Sequence, residues 1–161
     1  MKDTDMVVEY MKQQRLVLVT AESCTAGLIA SRLAERPGAG KLLQCAYVVY
    51  SPEAKQHCLG VKKQTIENCN LTSEPVAREM ALGAIERSDA NTAVSNTGVT
   101  DDTDPDIPAG TQCFAWVFRR SDGGLDVHSE TRRFDGERNQ IRQAAADYAL
   151  QRIPHLRGDR T

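Results

Sequence analysis

Leu16-Val17-Leu18-Val19-Thr20-Ala21-Glu22-Ser23-Cys24-Thr25 is the stretch on which the reading of this chain turns. From Leu16 to Thr20 the run is apolar, unbroken and too short for an ordinary helix. It suits a strand buried on both faces, as in a parallel sheet. Small polar residues follow, and then Leu28, Ile29 and Leu33 at helical spacing. A strand that passes into a helix through such a junction places its polar residues where open α/β sheets hold ligands, beyond the carboxyl ends of the strands.

On the amino-terminal side, Val7, Tyr10 and Met11 predict an opening helix over Met6 to Gln13. The helix after the junction is expected to stop before Pro37-Gly38. A second strand is read at Cys45 to Tyr50. Ser51-Pro52 then has the form of an N-cap with proline at the first helical position, opening a short helix that carries Lys55 and ends near Gly60. Thr72-Ser73-Glu74-Pro75 starts a longer helix with Val76, Met80 and Ile85 as apolar contacts and Leu82 off the stripe. Thr92 to Ser95 is a third strand, and Asn96 to Gly110 is read as a long polar loop. Gln112 to Phe118 and Leu125 to Phe134 are strands joined by the turn Ser121-Asp122-Gly123-Gly124. The closing helix runs from about Glu137 to Ile153, with Ile141, Ala145, Tyr148 and Ala149 inward. This order predicts an α/β fold, a three-layer α/β/α sandwich with a mixed, mainly parallel sheet and a late antiparallel hairpin. One domain over residues 1–161 is expected.

Of the 161 residues, 40% are hydrophobic and 26% charged, a globular rather than disordered balance, and no apolar run approaches the ~20 residues of a membrane span. The acidic start Met1-Lys2-Asp3-Thr4-Asp5 lacks the basic region of a signal peptide, so a cytoplasmic protein is expected. A net charge of −2 with interspersed signs argues against a nucleic-acid partner. The one basic cluster, Arg132-Arg133 with Arg138 and Arg142, reads as a solvated strand end and helix face. Cys24, Cys45, Cys58, Cys69 and Cys113 form no Cys-x-x-Cys pair, and His57, His128 and His155 show no ligand spacing, so neither a disulfide framework nor a metal is indicated.

Three strand ends carry reactive groups: Glu22, Ser23, Cys24 and Thr25 on the first, Tyr50, Ser51 and Lys55 after the second, and Ser95, Asn96, Thr97 and Gly98 on the third. Neighbouring strands would bring them into one crevice. Ser23 at a helix N-terminus would have donors for an oxyanion nearby, but a serine needs a base. His57 sits on the helix after Tyr50 rather than at a strand end. Lys55, one turn into that helix, is the better candidate if desolvation lowers its pKa. Tyr50 would then relay the proton or orient the lysine. Taken one motif at a time, plainer assignments carry more weight: Ser23 or Thr25 as an N-cap, Lys55 as a solvated lysine, Tyr50 as a core aromatic with a wet tip, Cys24 as a small buried hydrophobe rather than a rival nucleophile, and Glu22 as a complement to the helix dipole.

The stretches Thr20-Ala-Glu-Ser-Cys-Thr-Ala-Gly-Leu-Ile-Ala30, Ala46-Tyr-Val-Val-Tyr-Ser-Pro-Glu-Ala-Lys55, Leu59-Gly-Val61, Pro108-Ala-Gly-Thr111 and Phe134-Asp-Gly-Glu-Arg138 resemble the C-terminal domain of CinA, which also occurs alone as nicotinamide-nucleotide amidase. The resemblance covers nearly the whole chain. It implies hydrolysis of the carboxamide of nicotinamide mononucleotide to nicotinic acid mononucleotide and ammonia, with Ser23 as nucleophile, Tyr50 and Lys55 beside it, no metal or other cofactor, and a homo-oligomer. Glu22, Cys24, Thr25, Ser95, Asn96, Gly98, Thr111 and Arg138 are the candidate substrate-binding residues.

One interval departs from the family pattern. A glycine-rich loop, Ser/Thr-Gly-Ile-Ala-Gly-Pro-Gly-Gly, followed by a lysine before the Pro-Val-Gly-Thr turn, is replaced by Ser95-Asn-Thr-Gly-Val-Thr-Asp-Asp-Thr-Asp-Pro-Asp-Ile107. Asn96 stands at a glycine position and Ile107 at the lysine. Glycine loops let backbone N–H groups approach an anion, whereas Asp101, Asp102, Asp104 and Asp106 would repel a phosphate. Three functions follow: an amidase acting on the nucleotide, a nucleotide-binding or regulatory paralogue without turnover, and an amidase whose substrate lacks the phosphate. An acidic loop that points away from the crevice would leave the first intact.

Overall fold

The structure is a computed structural model that describes residues 3–158. Helix α1 (Asp3–Gln13) leads into β1 (Leu18–Glu22) and α2 (Leu28–Ala34). A single 3₁₀ turn at Ala39–Lys41 precedes β2 (Leu43–Val48), which passes into α3 (Pro52–Leu59), α4 (Lys63–Cys69) and α5 (Glu74–Glu86). Strands β3 (Thr92–Gly98), β4 (Thr111–Arg119) and β5 (Leu125–Arg133) follow, and α6 (Arg138–Gly158) closes the described chain.

The five strands form one sheet in the order β2-β1-β3-β4-β5. β1 is parallel to both β2 and β3, while β4 runs antiparallel to β3 and to β5. Four strands therefore share one direction and β4 alone is reversed, as expected of a mixed, mainly parallel sheet with a late hairpin. Alternation along the central strands sends side chains to two separate cores. Leu18, Val94, Phe114, Trp116 and Phe118 meet α1, α2 and α6 on one face. Val19, Ala21, Ala93, Ala115 and Val117 meet the residues of α3 and α5 on the other. Every residue of β1 is buried on one face or the other, which is why its first residues, Leu18 and Val19, show no polar alternation. Trp116 stacks on Phe114 with ring centroids 5.6 Å apart, and its indole N–H donates to the Ala149 carbonyl of α6 at 2.9 Å. Each such buried side chain contributes roughly 1.5–3 kcal/mol, and the indole donor is satisfied as a buried polar group must be.

Several boundaries differ from the sequence reading. The first strand starts at Leu18, because Leu16 bonds back to the Met11 carbonyl of α1. β2 ends at Val48, so Tyr50 lies in the connection before α3 rather than at the end of a strand. β3 continues through Asn96, Thr97 and Gly98, which pair with Phe114, Cys113 and Gln112, so the loop begins only at Val99. Helix α4 was not anticipated: it buries none of its residues, so it carries no apolar period to read. α6 runs past Ile153 through Pro154 to Gly158. Ser51 and Ser73 cap α3 and α5 through their hydroxyls, as anticipated for the first of them, and Gly60 closes α3 in the left-handed region with φ 71°.

Candidate functional site

β2, β1 and β3 are adjacent and parallel, so the three polar strand ends meet at one edge of the sheet. There they line a crevice of about 340 Å³ walled by Ser23, Cys24, Tyr50, Lys55, Gly98 and Arg138, with Asn70 to Thr72 from the α4–α5 connection and Val99, Thr100, Asp101, Thr103 and Asp104 from the loop after β3. A second groove, between α1 and α6, is lined by Asp3, Met6, Val7, Tyr10, Gln151, Pro154 and His155 and holds neither a nucleophile nor a buried amine.

Lys55 is only 1% exposed. Its Nζ lies 2.9 Å from Ser23 Oγ, 3.1 Å from the Val49 carbonyl and 3.2 Å from the Tyr50 carbonyl. Burial in this pocket lowers the lysine from 10.5 to about 8. A neutral amine has two hydrogens and one lone pair. As the ammonium, Nζ donates to all three oxygens; once it is neutral, with the two carbonyls taking its hydrogens, the lone pair faces the Ser23 hydroxyl. Ser23 is 8% exposed and open to the crevice. Its own N–H donates to the Asn96 carbonyl at 3.0 Å, and its carbonyl accepts from Ala26, which pins the backbone on both sides of the hydroxyl.

The other expected residues divide into those that face the crevice and those that support it. Cys24 lines the crevice; burial raises its thiol pKa, and Sγ accepts a hydrogen bond from Gln112 Nε2 at 3.4 Å. Tyr50 is corrected in role: its carbonyl, not its phenol, touches Lys55, while its hydroxyl accepts from Arg138 Nη2 at 3.2 Å and the side chain is largely exposed. Arg138 and Gly98 line the crevice as expected.

Glu22 does not line the crevice. Its carboxylate is fully buried and accepts five hydrogen bonds, from the hydroxyls of Thr20 and Thr25 and from the N–H groups of Gly27, Ile29 and Ala30. The free N–H groups expected at the start of α2 are therefore taken by Glu22 and do not point at Ser23. The remaining donor beside Ser23 is the N–H of Cys24, which makes no hydrogen bond among the described residues. Thr25 is likewise committed to the scaffold, its hydroxyl to Glu22 and its N–H to Asn96 Oδ1 at 3.1 Å. Asn96 spends its other amide atom on Gln112 Oε1 at 2.9 Å, Ser95 Oγ donates to the Ala77 carbonyl beneath the sheet, and Thr111 Oγ1 donates to the Pro108 carbonyl. None of these four, Thr25, Ser95, Asn96 or Thr111, lines the crevice.

Two supporting residues escaped the sequence reading. Gln112, fully buried, links Asn96, Cys24 and the Val99 carbonyl, and its side chain fills the space where a Cβ on Gly98 would lie, 2.3 Å away. Arg142, read as part of a solvated basic face, donates to the carbonyls of Cys24 at 2.9 Å and Thr25 at 3.4 Å, anchoring the turn after β1 to α6. Its spacing of four from Arg138 on one helix was the available signal. The acidic loop splits. Asp101 and Asp104 line the crevice, whereas Asp102 and Asp106 are exposed and do not.

With this geometry in view, residues 2–156 match the model of the CinA C-terminal domain. The chain belongs to that family. It is 40% identical over 148 residues to a CinA-like protein of Chlorobium limicola, which covers 91% of this chain and 34% of the relative. A CinA-like protein of Mycobacterium tuberculosis matches to the same identity, over 91% of this chain and 33% of the relative. The chain thus spans about a third of the length of the curated relatives it matches. The fold is that of solved members of the CinA superfamily. An Escherichia coli protein superposes with a TM-score of 0.88 at 33% identity, covering 96% of this chain and 88% of its own. Competence damage-inducible protein A of Klebsiella pneumoniae superposes with a TM-score of 0.91 at 28% identity, covering 99% and 97%. Among the described residues no helix is long and apolar enough to cross a membrane.

Proposed function

We propose that this CinA-family chain is an amidohydrolase that deamidates nicotinamide mononucleotide, with Ser23 as nucleophile and Lys55 as general base. The observation that carries the proposal is the 2.9 Å approach of a buried lysine amine to a serine hydroxyl inside a crevice, within the reach a proton-transfer pair requires. Neutral Lys55 takes the Ser23 proton as Oγ attacks the carboxamide carbon. The C–O bond forms and the carbonyl electron pair moves onto oxygen, facing the N–H of Cys24. Collapse breaks the C–N bond, and the proton held by Lys55 leaves with the nitrogen as ammonia. Water then attacks the acyl-serine, Lys55 accepts one of its protons and returns it to Ser23 Oγ as the acyl C–O bond breaks, and the carboxylic acid departs and ionises, its proton passing to the released ammonia. No step needs a metal or a redox partner.

Purified protein incubated with nicotinamide mononucleotide should release ammonia, and Ser23→Ala should abolish the release. A second reading is favoured by the two carboxylates on the crevice wall, Asp101 and Asp104: a paralogue that binds a nucleotide and regulates without turning it over. Calorimetric binding of the nucleotide with no ammonia from the wild-type chain would select it.

A further inference from the structure

Arg138 is the only arginine among the described residues that wall the crevice, and apart from Lys55 it is their only basic side chain. It stands at the start of α6, about half exposed, and bridges two loops at the mouth. Nη1 donates to Thr100 Oγ1 and to Asp101 Oδ2, both at 2.8 Å, and Nη2 donates to the Tyr50 hydroxyl at 3.2 Å. A guanidinium presents its donors as a fork that fits a planar carboxylate or a phosphate. Here the chain's own carboxylate already holds one arm of that fork. Asp104, on the same loop, keeps a second carboxylate on the wall, fixed by Asn70 Nδ2 at 2.9 Å and by the N–H of Asp106 at 2.8 Å.

Resting on the amidase reading of this crevice, we infer that Asp101 is a specificity-determining residue: an internal anion seated on Arg138 that the phosphate of a nucleotide substrate has to displace before it can bind. An unphosphorylated amide makes no such demand on Arg138 and is admitted without the exchange. The acidic loop therefore weakens the grip on phosphate without closing the pocket, because the pairing is at the surface and open to solvent. Exposed ion pairs and single charges a few ångströms apart in water change an affinity by about three- to tenfold, not by orders of magnitude.

Two measurements on the full chain test this. By calorimetry, inorganic phosphate should bind Asp101→Asn about three- to tenfold more tightly than the wild type, and the gain should vanish in the Asp101→Asn/Arg138→Gln double variant. Equal phosphate affinity in wild type and Asp101→Asn overturns the inference, as does a gain that survives loss of Arg138. In the ammonia assay, the same Asp101→Asn change should lower KM for nicotinamide mononucleotide by a similar factor, on KM rather than kcat, while KM for the unphosphorylated riboside moves by less than about twofold. An equal shift for both compounds overturns it, since that would mark a general loosening of the loop. The phosphate measurement needs no turnover. A chain that releases no ammonia but shows the expected phosphate shift refutes the amidase reading and leaves the anion exchange standing.

Discussion

At Lys55 the local chemistry sets a pH dependence whose sign is fixed. Burial disfavours the ammonium and brings the lysine down to about 8. If the neutral amine is the base, kcat/KM for the amide should climb tenfold per pH unit below about 8 and level off above it. A rate that falls as pH rises through that range would remove Lys55 from the base role. Lys55→Ala should lower kcat by about 10²- to 10⁴-fold with little change in substrate affinity, read from steady-state kinetics beside calorimetry. The same group links folding to pH. Because the folded lysine releases its proton at about 8 and the unfolded one at 10.5, the unfolded chain holds more protons between those values, and stability attributable to Lys55 rises with pH across the window. Lys55→Met should lack that rise, as seen by comparing urea midpoints of the two proteins at pH 8 and pH 10.

Among the elements, α2 and α3 carry the site and each depends on one unusual contact. Glu22 serves as the N-terminal cap of α2 although it lies six residues before it and on β1. Glu22→Ala strands three backbone N–H groups and two hydroxyls in a buried setting, and should cost about 3 kcal/mol in denaturant unfolding. Gly83 on α5 lets α3 approach: a Cβ there would sit 2.0 Å from the Leu59 carbonyl. Alanine is better than glycine in a helix by up to about 1 kcal/mol, but overpacking against backbone costs about 1–3 kcal/mol, so Gly83→Ala should destabilise the chain and slow turnover by shifting Lys55. The ratio of lost stability to lost kcat, measured on one preparation, checks both. At this scale the sequence was legible wherever burial imposed a period. β1, α3 with its Ser51-Pro52 start, and the hairpin were all readable, and so was the meeting of Ser23 with Lys55 once β1 and β2 were taken as neighbours. Glu22 was misplaced because a carboxylate beside a nucleophile looks the same in sequence whether it faces a ligand or reaches back to a helix. Gln112 and Arg142 were missed because the hydrogen bonds that tie them to Cys24 span 88 and 118 residues, a pairing that only the folded sheet and α6 bring about.

For the molecule as a whole, the sheet divides two apolar layers, and the crevice opens only where the three parallel strands end together. Its walls come from the turn after β1, the entry and first turn of α3, the α4–α5 connection, the end of β3 with the loop after it, and the head of α6, so a ligand there ties most of the chain together. On the amidase proposal Ser23→Ala holds the amide without cleaving it, so ligand at about 100 times its Kd should add roughly 2.7 kcal/mol to folding and raise Tm by about 5–11 °C in a thermal melt. The carboxyl-terminal helix also has an optical consequence. Trp116 is the chain's only tryptophan, and its indole is bonded to Ala149 in the interior between the sheet and α6. Emission from that one fluorophore therefore reports whether α6 is seated. A red shift that precedes the loss of far-ultraviolet dichroism would identify undocking of this helix as the first event when the protein comes apart.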